Sequence, residues 1–262
     1  MSKQHESTAR TLTVTLLICL VCSILVAGAA VMLKPTQIEN RLLDKQRSIL
    51  AIAGLYEDGM SGDDIKAVYD ERIVAKVVDL KAGTFSEAYD PLRFDPLVAS
   101  KDPNLSDALS ADEDIASIRR LEHFSTVYMV MRDGQLDTLV LPVRGYGLWS
   151  SLYGFLAVQA DLDTVVGFGF YQHGETPGLG GEVDNPKWVG QWPGKQLFDE
   201  NGELAVKIAK GSVDAQSPQA IHQVDGLAGA TLTSNGVNNL LHFWLGENGF
   251  GPFLAKLRAG EA

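Results

Sequence analysis

The chain has 262 residues, and its 22 basic and 33 acidic side chains give a formal net charge of −11, which argues against nucleic acid as a partner because phosphate binding needs clustered Lys and Arg. Hydrophobic residues make up 45%, enough for a membrane segment and a packed core together. Both cysteines, Cys19 and Cys22, fall in the first apolar run; no disulfide can staple the rest, and two thiols supply only half of a tetrahedral metal site.

In chain order, residues 1–11 form a short flank and residues 12–33 a membrane span. Leu12 to Leu33 holds no charge and meets the roughly 20 residues a bilayer requires. A cleaved signal peptide with Ala27-Gly28-Ala29 as its site is the competitor, but its apolar core would exceed the usual ~7–15 residues. Val21 before Cys22 fits a lipoprotein site poorly. An uncleaved anchor is the reading. Lys3 and Arg10 precede the span, and Lys34, Arg41, Lys45 and Arg47 follow it. That charge bias weakens for a long translocated domain, so the residues alone leave the side open.

Residues 34–120 read as a mostly helical, polar connector. Ile38, Leu42, Ile49, Ile52 and Leu55 recur at helical spacing. Ser61-Gly-Asp-Asp64 predicts a capped start for a helix carrying Ile65, Val68 and Tyr69. Ile73 to Leu80 reads as a strand, and Asp90-Pro91, Asp95-Pro96 and Asp102-Pro103 as turns. The acidic run Asp112-Glu113-Asp114 reads as a solvated helix start rather than a cation site.

Residues 121–262 read as a β-rich meander. Val127–Met131 and Leu139–Val143 flank Asp133-Gly134, a hairpin signal. Leu152–Val158 and Val165–Tyr171 pair across Asp161-Leu-Asp163, and Gln196–Phe198 and Leu204–Ile208 across Glu200-Asn-Gly202. With helical segments near Asn185–Trp192 and after Ser234, this is an α+β domain: a twisted antiparallel sheet with helices packed on it. Two loops stand out, Gly145-Tyr-Gly-Leu-Trp-Ser150 and His173-Gly-Glu-Thr-Pro-Gly-Leu-Gly-Gly-Glu182. Each reads either as an ordinary turn or as a ligand cradle, with Trp149 and Tyr146 able to cover an aromatic ring. His173 with Glu175 reads as a weak acid–base pair or half a metal site. Neither loop is a nucleotide fingerprint.

The stretch Asp225-Gly-Leu-Ala-Gly-Ala-Thr-Leu-Thr-Ser234 sets a turn, Gly229 and Ala230 before a helix over Asn235–Leu245. Val237, Leu240, Leu241 and Trp244 form its apolar face. Thr233 or Ser234 is the expected cap and Gly246 the stop. By spacing alone this is an ordinary capped helix or an anion site at a helix N-terminus.

Asp225 to Thr231 resembles the attachment motif Asp-x-x-Ser/Thr-Gly-Ala-Thr of FMN-binding domains. In that family a separate flavin transferase takes FMN from FAD and esterifies its phosphate to the last Thr, which is Thr231 here. Ala228 departs from the family's Ser or Thr; the attachment hydroxyl is intact and a neighbouring donor is gone. Leu20-Val-Cys-Ser23, the Gly145–Ser150 and His173–Glu182 loops, Asp184-Asn-Pro-Lys-Trp188 and Gly249-Phe-Gly-Pro-Phe253 together resemble the NqrC subunits of the Na⁺-translocating NADH:quinone reductases. The Thr-Pro-Gly-Leu-Gly loop and the Thr231 motif are shared with the related RnfG subunits of the Rnf complex.

The resemblance implies a single-pass subunit of the bacterial inner membrane with its domain in the periplasm. One covalent FMN would relay electrons within a six-subunit complex that oxidises NADH, reduces ubiquinone and pumps Na⁺. Asp225, Gly229 and Ala230 would form the attachment turn around Thr231. Gly178, Leu179 and Gly180 would line the ring, with Thr176 and Glu175 beside it and Trp149 as an aromatic wall. No residue is assigned to catalysis or to a metal. An Rnf-type electron-transport subunit and a membrane-anchored binding module without redox chemistry are the alternatives; a hydrolase fits least, as no nucleophile–base signature is present.

Overall fold

The computed structural model describes residues 8–262; the first part of the expected flank, Lys3 included, lies outside the described residues. The chain divides into two units, one the helical stretch up to Asp44 and the other Lys45–Ala262. Helix α1 runs unbroken from Thr8 to Ile52. Its apolar stretch is exposed along its length and is long and apolar enough to cross a membrane. The helix continues through Pro35, where the sequence pattern suggests the start of a separate connector. Proline forfeits one backbone bond and crowds the preceding turn, but helical residues on both sides propagate cooperatively across that single defect.

The second unit opens with the end of α1, where Ile49 and Leu50 are fully buried. Burying two such side chains contributes about 1.5–3 kcal/mol each. Helix α2 (Gly62–Arg72) starts with the expected capping box: the Ser61 hydroxyl accepts the Asp64 N–H, and the Asp64 carboxylate accepts the Ser61 N–H. Next come β1 (Ile73–Asp79), β2 (Thr84–Ser86), the short α3 (Pro96–Ala99), β3 (Ser106–Ala108) and β4 (Arg120–Glu122). Four longer strands follow, β5 (Phe124–Arg132), β6 (Gln135–Tyr146), β7 (Ser151–Gln159) and β8 (Val165–Gln172). Then come α4 (Pro186–Val189), β9 (Lys207–Ile208), β10 (Gln223–Val224), α5 (Thr231–Leu245) and α6 (Gly251–Ala259).

The main sheet is antiparallel in the order β2-β1-β5-β6-β7-β8. Strand β1 pairs with β5 from Ile73↔Val130 to Asp79↔Phe124. The stretch expected to be a mostly helical connector therefore supplies two strands of this sheet. The strand expected over Ile73 to Leu80 is β1, with Ile73, Val77 and Val78 buried and Val74 and Lys76 exposed. The acidic run is likewise not a helix start: Glu113 accepts the N–H and hydroxyl of Ser110, and Asp114 accepts the N–H groups of Ile118 and Arg119.

Both hairpins turn where the sequence places them, with Asp133, Gly134 and Leu162 at positive φ. The third expected hairpin reduces to a single bridge, Phe198↔Leu204. There the Asp163 carboxylate takes the N–H groups of Leu197 and Phe198, and Asp199 takes those of Asn201 and Glu203. Side-chain acceptors thus replace a ladder. Ile208 pairs instead with Val224, in parallel.

One sheet face carries α5 and α6, with Leu240, Leu241, Trp244, Phe250 and Phe253 buried against Val127, Leu139, Leu141, Leu156 and Phe168. The other receives the end of α1. There a Cβ on Gly167 would lie 2.4 Å from the Ile52 carbonyl oxygen. Gly167→Val is therefore expected to destabilise this unit by ~1–3 kcal/mol, the usual cost of overpacking. Thermal unfolding of the full chain in detergent checks it; an unchanged midpoint would mean that the helix end does not need this close approach.

Candidate functional site

Three segments converge at the end of the sheet: the turn after β6, the loop after β8 and the N-terminal turn of α5. Strand β6 ends at Tyr146, and the chain tightens so that the Gly147 N–H reaches the Ser150 carbonyl at 2.9 Å. The loop after β8 passes through Glu175 into a 3-10 turn at Gly180–Asp184. The α5 turn meets both: a Cβ on Gly236 would lie 2.4 Å from the Tyr146 carbonyl oxygen, and one on Gly229 would lie 3.3 Å from the Leu179 side chain.

Glu175 joins the three. Its Oε1 accepts N–H bonds from Leu148 (3.0 Å), Trp149 (2.9 Å) and Ser150 (3.1 Å), and its Oε2 accepts the Thr233 hydroxyl at 2.8 Å. Burial alone would raise this carboxyl's pKa. The Trp149 N–H, the Thr233 hydroxyl and the N–H groups of Leu148 and Ser150 outweigh burial and hold it below the ordinary glutamate value. Glu175 is only 5% exposed, and both of its oxygens are taken by these donors.

The acid–base pairing of His173 with Glu175 is also corrected. His173 Nε2 lies 2.6 Å from Asp184 Oδ2, while its Nδ1 accepts the Glu175 N–H at 3.1 Å. That network puts the ring proton on Nε2, directed at Asp184, and leaves the Glu175 carboxylate to other donors. Among the described residues no group of His, Cys, Asp and Glu side chains could hold a metal ion.

The two loop glycines serve different purposes. Gly178 lies at φ +77°, which L side chains rarely adopt, with open space beside it. Gly180 has no positive φ; a Cβ there would come within 2.5 Å of both Glu175 Oε2 and Thr233 Oγ1. Thr176 and Leu179 are exposed between them and Glu175.

The attachment stretch departs from its expected form at the helix start. Helix α5 begins at Thr231, with Ala230 in the cap position (φ −127°, ψ 49°) and no side-chain cap bond. Thr233 and Ser234, the expected caps, lie inside the first turn and point inward. Thr233 donates to Glu175, and the Ser234 hydroxyl accepts the Leu227 N–H at 3.1 Å. Long-range partners claim both hydroxyls, and the first N–H groups of the helix remain uncapped by a side chain. Thr231 is exposed beside them.

Asp225 does not bond its own turn. It accepts the Val213 N–H at 2.7 Å, donates its N–H to Gln191 and accepts the Trp188 indole N–H through its carbonyl. It fixes where the stretch leading to Thr231 begins. Gly229 takes φ +71°.

Each of the three segments carries an exposed apolar side chain: Trp149 at 67%, Leu179 at 45% and Leu232 at 58%. The Tyr146 hydroxyl donates to the Trp149 carbonyl at 3.2 Å. An exposed hydroxyl, an uncapped helix N-terminus and apolar side chains nearby suit a ligand with an anionic end and a flat aromatic body. Leu232 was missed in the sequence. Its signal is an apolar residue at the helix start that falls off the face defined by Val237, Leu240 and Trp244.

Comparison with known proteins identifies relatives of this chain. The FMN-binding domain family matches residues 147–246, which include all three segments apart from Tyr146. The NqrC subunit of the Na⁺-translocating NADH-quinone reductase of Pseudomonas aeruginosa is 73% identical over 258 residues, covering 98% of this chain and 99% of that protein. Its namesake from Yersinia pestis is 51% identical, covering 98% and 96%. The crystal structure of Shewanella oneidensis NqrC superposes with a TM-score of 0.76 at 35% identity, covering 86% of this chain and 99% of that one.

Proposed function

This chain belongs to the NqrC family of Na⁺-translocating NADH-quinone reductase subunits, and from that premise we propose that it carries one FMN covalently on Thr231 and relays electrons within a membrane complex. The observation that carries this reading is the state of Thr231: an exposed hydroxyl on the first residue of α5, next to N–H groups no side chain caps. A phosphodiester there brings negative charge to the positive end of the helix dipole. Trp149, Leu179 and Leu232 offer the apolar surface an aromatic ring needs, and Gly229 at positive φ lets the preceding turn present the hydroxyl.

Attachment needs help from outside the chain. A threonine hydroxyl is a weak nucleophile without a base, and Thr231 has no histidine beside it in the motif. A flavin transferase would supply the base that takes the hydroxyl proton. The Thr231 oxygen would then bond to the FMN phosphorus of FAD as the pyrophosphate P–O bond breaks, AMP leaving with that electron pair. Once bound, FMN supplies reversible electron transfer at its ring. The chain's own residues would fix the ring's place and set the local charge. Electron donor and acceptor would be other subunits of the complex, six in all with this one.

Intact-mass measurement of the full chain, made with and without a flavin transferase, tests the reading. One FMN phosphodiester per chain is expected only with the transferase; a mass that never changes would exclude covalent attachment.

The exposed apolar run of α1 anchors the chain in the inner membrane, and we place Lys45–Ala262 in the periplasm. A reporter fused after Ala262 is expected to be active outside the cytoplasm; activity confined to the cytoplasm would reverse the orientation.

A further inference from the structure

The Glu175 carboxylate, on the loop after β8, bonds both of the other segments of the site. Oε1 collects three consecutive backbone N–H groups, those of Leu148, Trp149 and Ser150, with the Ser150 hydroxyl a further 3.4 Å contact. Oε2 takes the Thr233 hydroxyl from inside the first turn of α5. Its surroundings leave no slack: a Cβ on Gly147 would lie 2.6 Å from Oε1, and one on Gly180 would lie 2.5 Å from Oε2. Among the described residues its partners are N–H and O–H dipoles, with no cation in an ion pair. The site is thus built around a buried charge that dipoles solvate and nothing neutralises.

We propose that Glu175 is the positioning residue of the flavin site: its carboxylate clasps the Trp149 loop and the Thr231 turn into one body, and its charge makes an added electron less welcome on the attached ring. The inference rests on FMN being held at Thr231. Adding an electron to a group near a fixed anion works against Coulomb repulsion that a neutral side chain would not exert. Charge-assisted bonds of this kind are also the strong ones, so the clasp and the charge come from the same two oxygens.

The two roles separate by substitution. In Glu175→Gln the amide oxygen can still accept the three N–H groups and the amide nitrogen can face Thr233, so geometry is largely kept and charge is lost. Glu175→Asp keeps the charge and shortens the reach. Glu175→Ala removes both. All are made in the full chain in detergent, with and without a flavin transferase.

In the flavin-free chain, amide hydrogen exchange at Leu148, Trp149 and Ser150 is expected to quicken at least ~tenfold in Glu175→Ala and less in Glu175→Gln, since a bond to a charged acceptor is worth more than one to a neutral acceptor. In the flavin-loaded chain, reductive titration with dithionite is expected to show a higher reduction potential in Glu175→Gln and a value near the unsubstituted one in Glu175→Asp. Unchanged exchange in both Glu175→Ala and Glu175→Gln overturns the clasp. An unchanged potential in Glu175→Gln, or equal shifts in Glu175→Gln and Glu175→Asp, overturns the role of the charge. If the unsubstituted chain never takes up flavin, the functional reading falls and the charge role with it, while the exchange measurement still decides the clasp.

Discussion

Thr231→Ala is expected to abolish covalent flavin completely, seen as loss of in-gel flavin fluorescence after denaturation, whereas Thr231→Ser retains part of it. Three hydroxyls lie within four residues, at Thr231, Thr233 and Ser234, so proximity in the chain cannot choose among them. Exposure can. Thr233 is fully buried and Ser234 is 6% exposed, each with its hydroxyl bonded inside the domain, while Thr231 is exposed to an external enzyme. Thr233→Ala is expected to keep the covalent flavin and to destabilise by about 1–3 kcal/mol, because a bond to a charged group is removed. Covalent flavin on Thr231→Ala would transfer the assignment to one of the buried hydroxyls and require the first turn of α5 to open during attachment.

Thr231 stands out in the sequence for a reason that the structure corrects. Thr233 and Ser234 read there as caps, which would leave Thr231 free. Capping is a local rule that compares a hydroxyl with N–H groups two or three positions ahead. Thr233's partner stands 58 positions away in Glu175, and no local rule sees it. The anchor and both hairpins are legible because composition and turn geometry decide them: a charge-free run in one case, Asp133-Gly134 at positive φ in the other. The place of β1 is not legible. The strand itself reads from Ile73 to Leu80, but its partner β5 comes from the far side of a long insertion, which no local pattern reveals. Glu175 shows the same limit from the site's side. Its motif drew it into the flavin's neighbourhood, but only the fold shows that its oxygens are committed to backbone and helix.

Glu122→Ala is expected to cost about 3–5 kcal/mol, the largest stability loss of any substitution considered, because it leaves a guanidinium buried without its counter-charge. Arg144 Nη1 and Nη2 each lie 2.6 Å from a separate Glu122 oxygen, with side-chain exposures of 9% and 1%. Nη2 also donates to the Arg120 carbonyl at 3.0 Å, and the guanidinium lies over the Trp244 ring at 5.3 Å. The Trp244 indole donates back to the Arg144 carbonyl at 2.7 Å. The pair thus holds β4, β6 and α5 together, on the strand that runs directly into Tyr146 and the Trp149 loop. A bidentate pair of this kind need not make the fold more stable than well-packed apolar residues would, since both charges lose water. Breaking it from one side is another matter. Urea unfolding of the full chain in detergent should show the loss for Glu122→Ala, and a smaller one for Glu122→Leu combined with Arg144→Met, where no charge is stranded. Acrylamide quenching of tryptophan fluorescence should rise in Glu122→Ala as the buried Trp244 ring beside Arg144 loosens. If the double variant is as damaged as the single one, the stranded charge is not the cause, and the loss belongs to packing at Trp244.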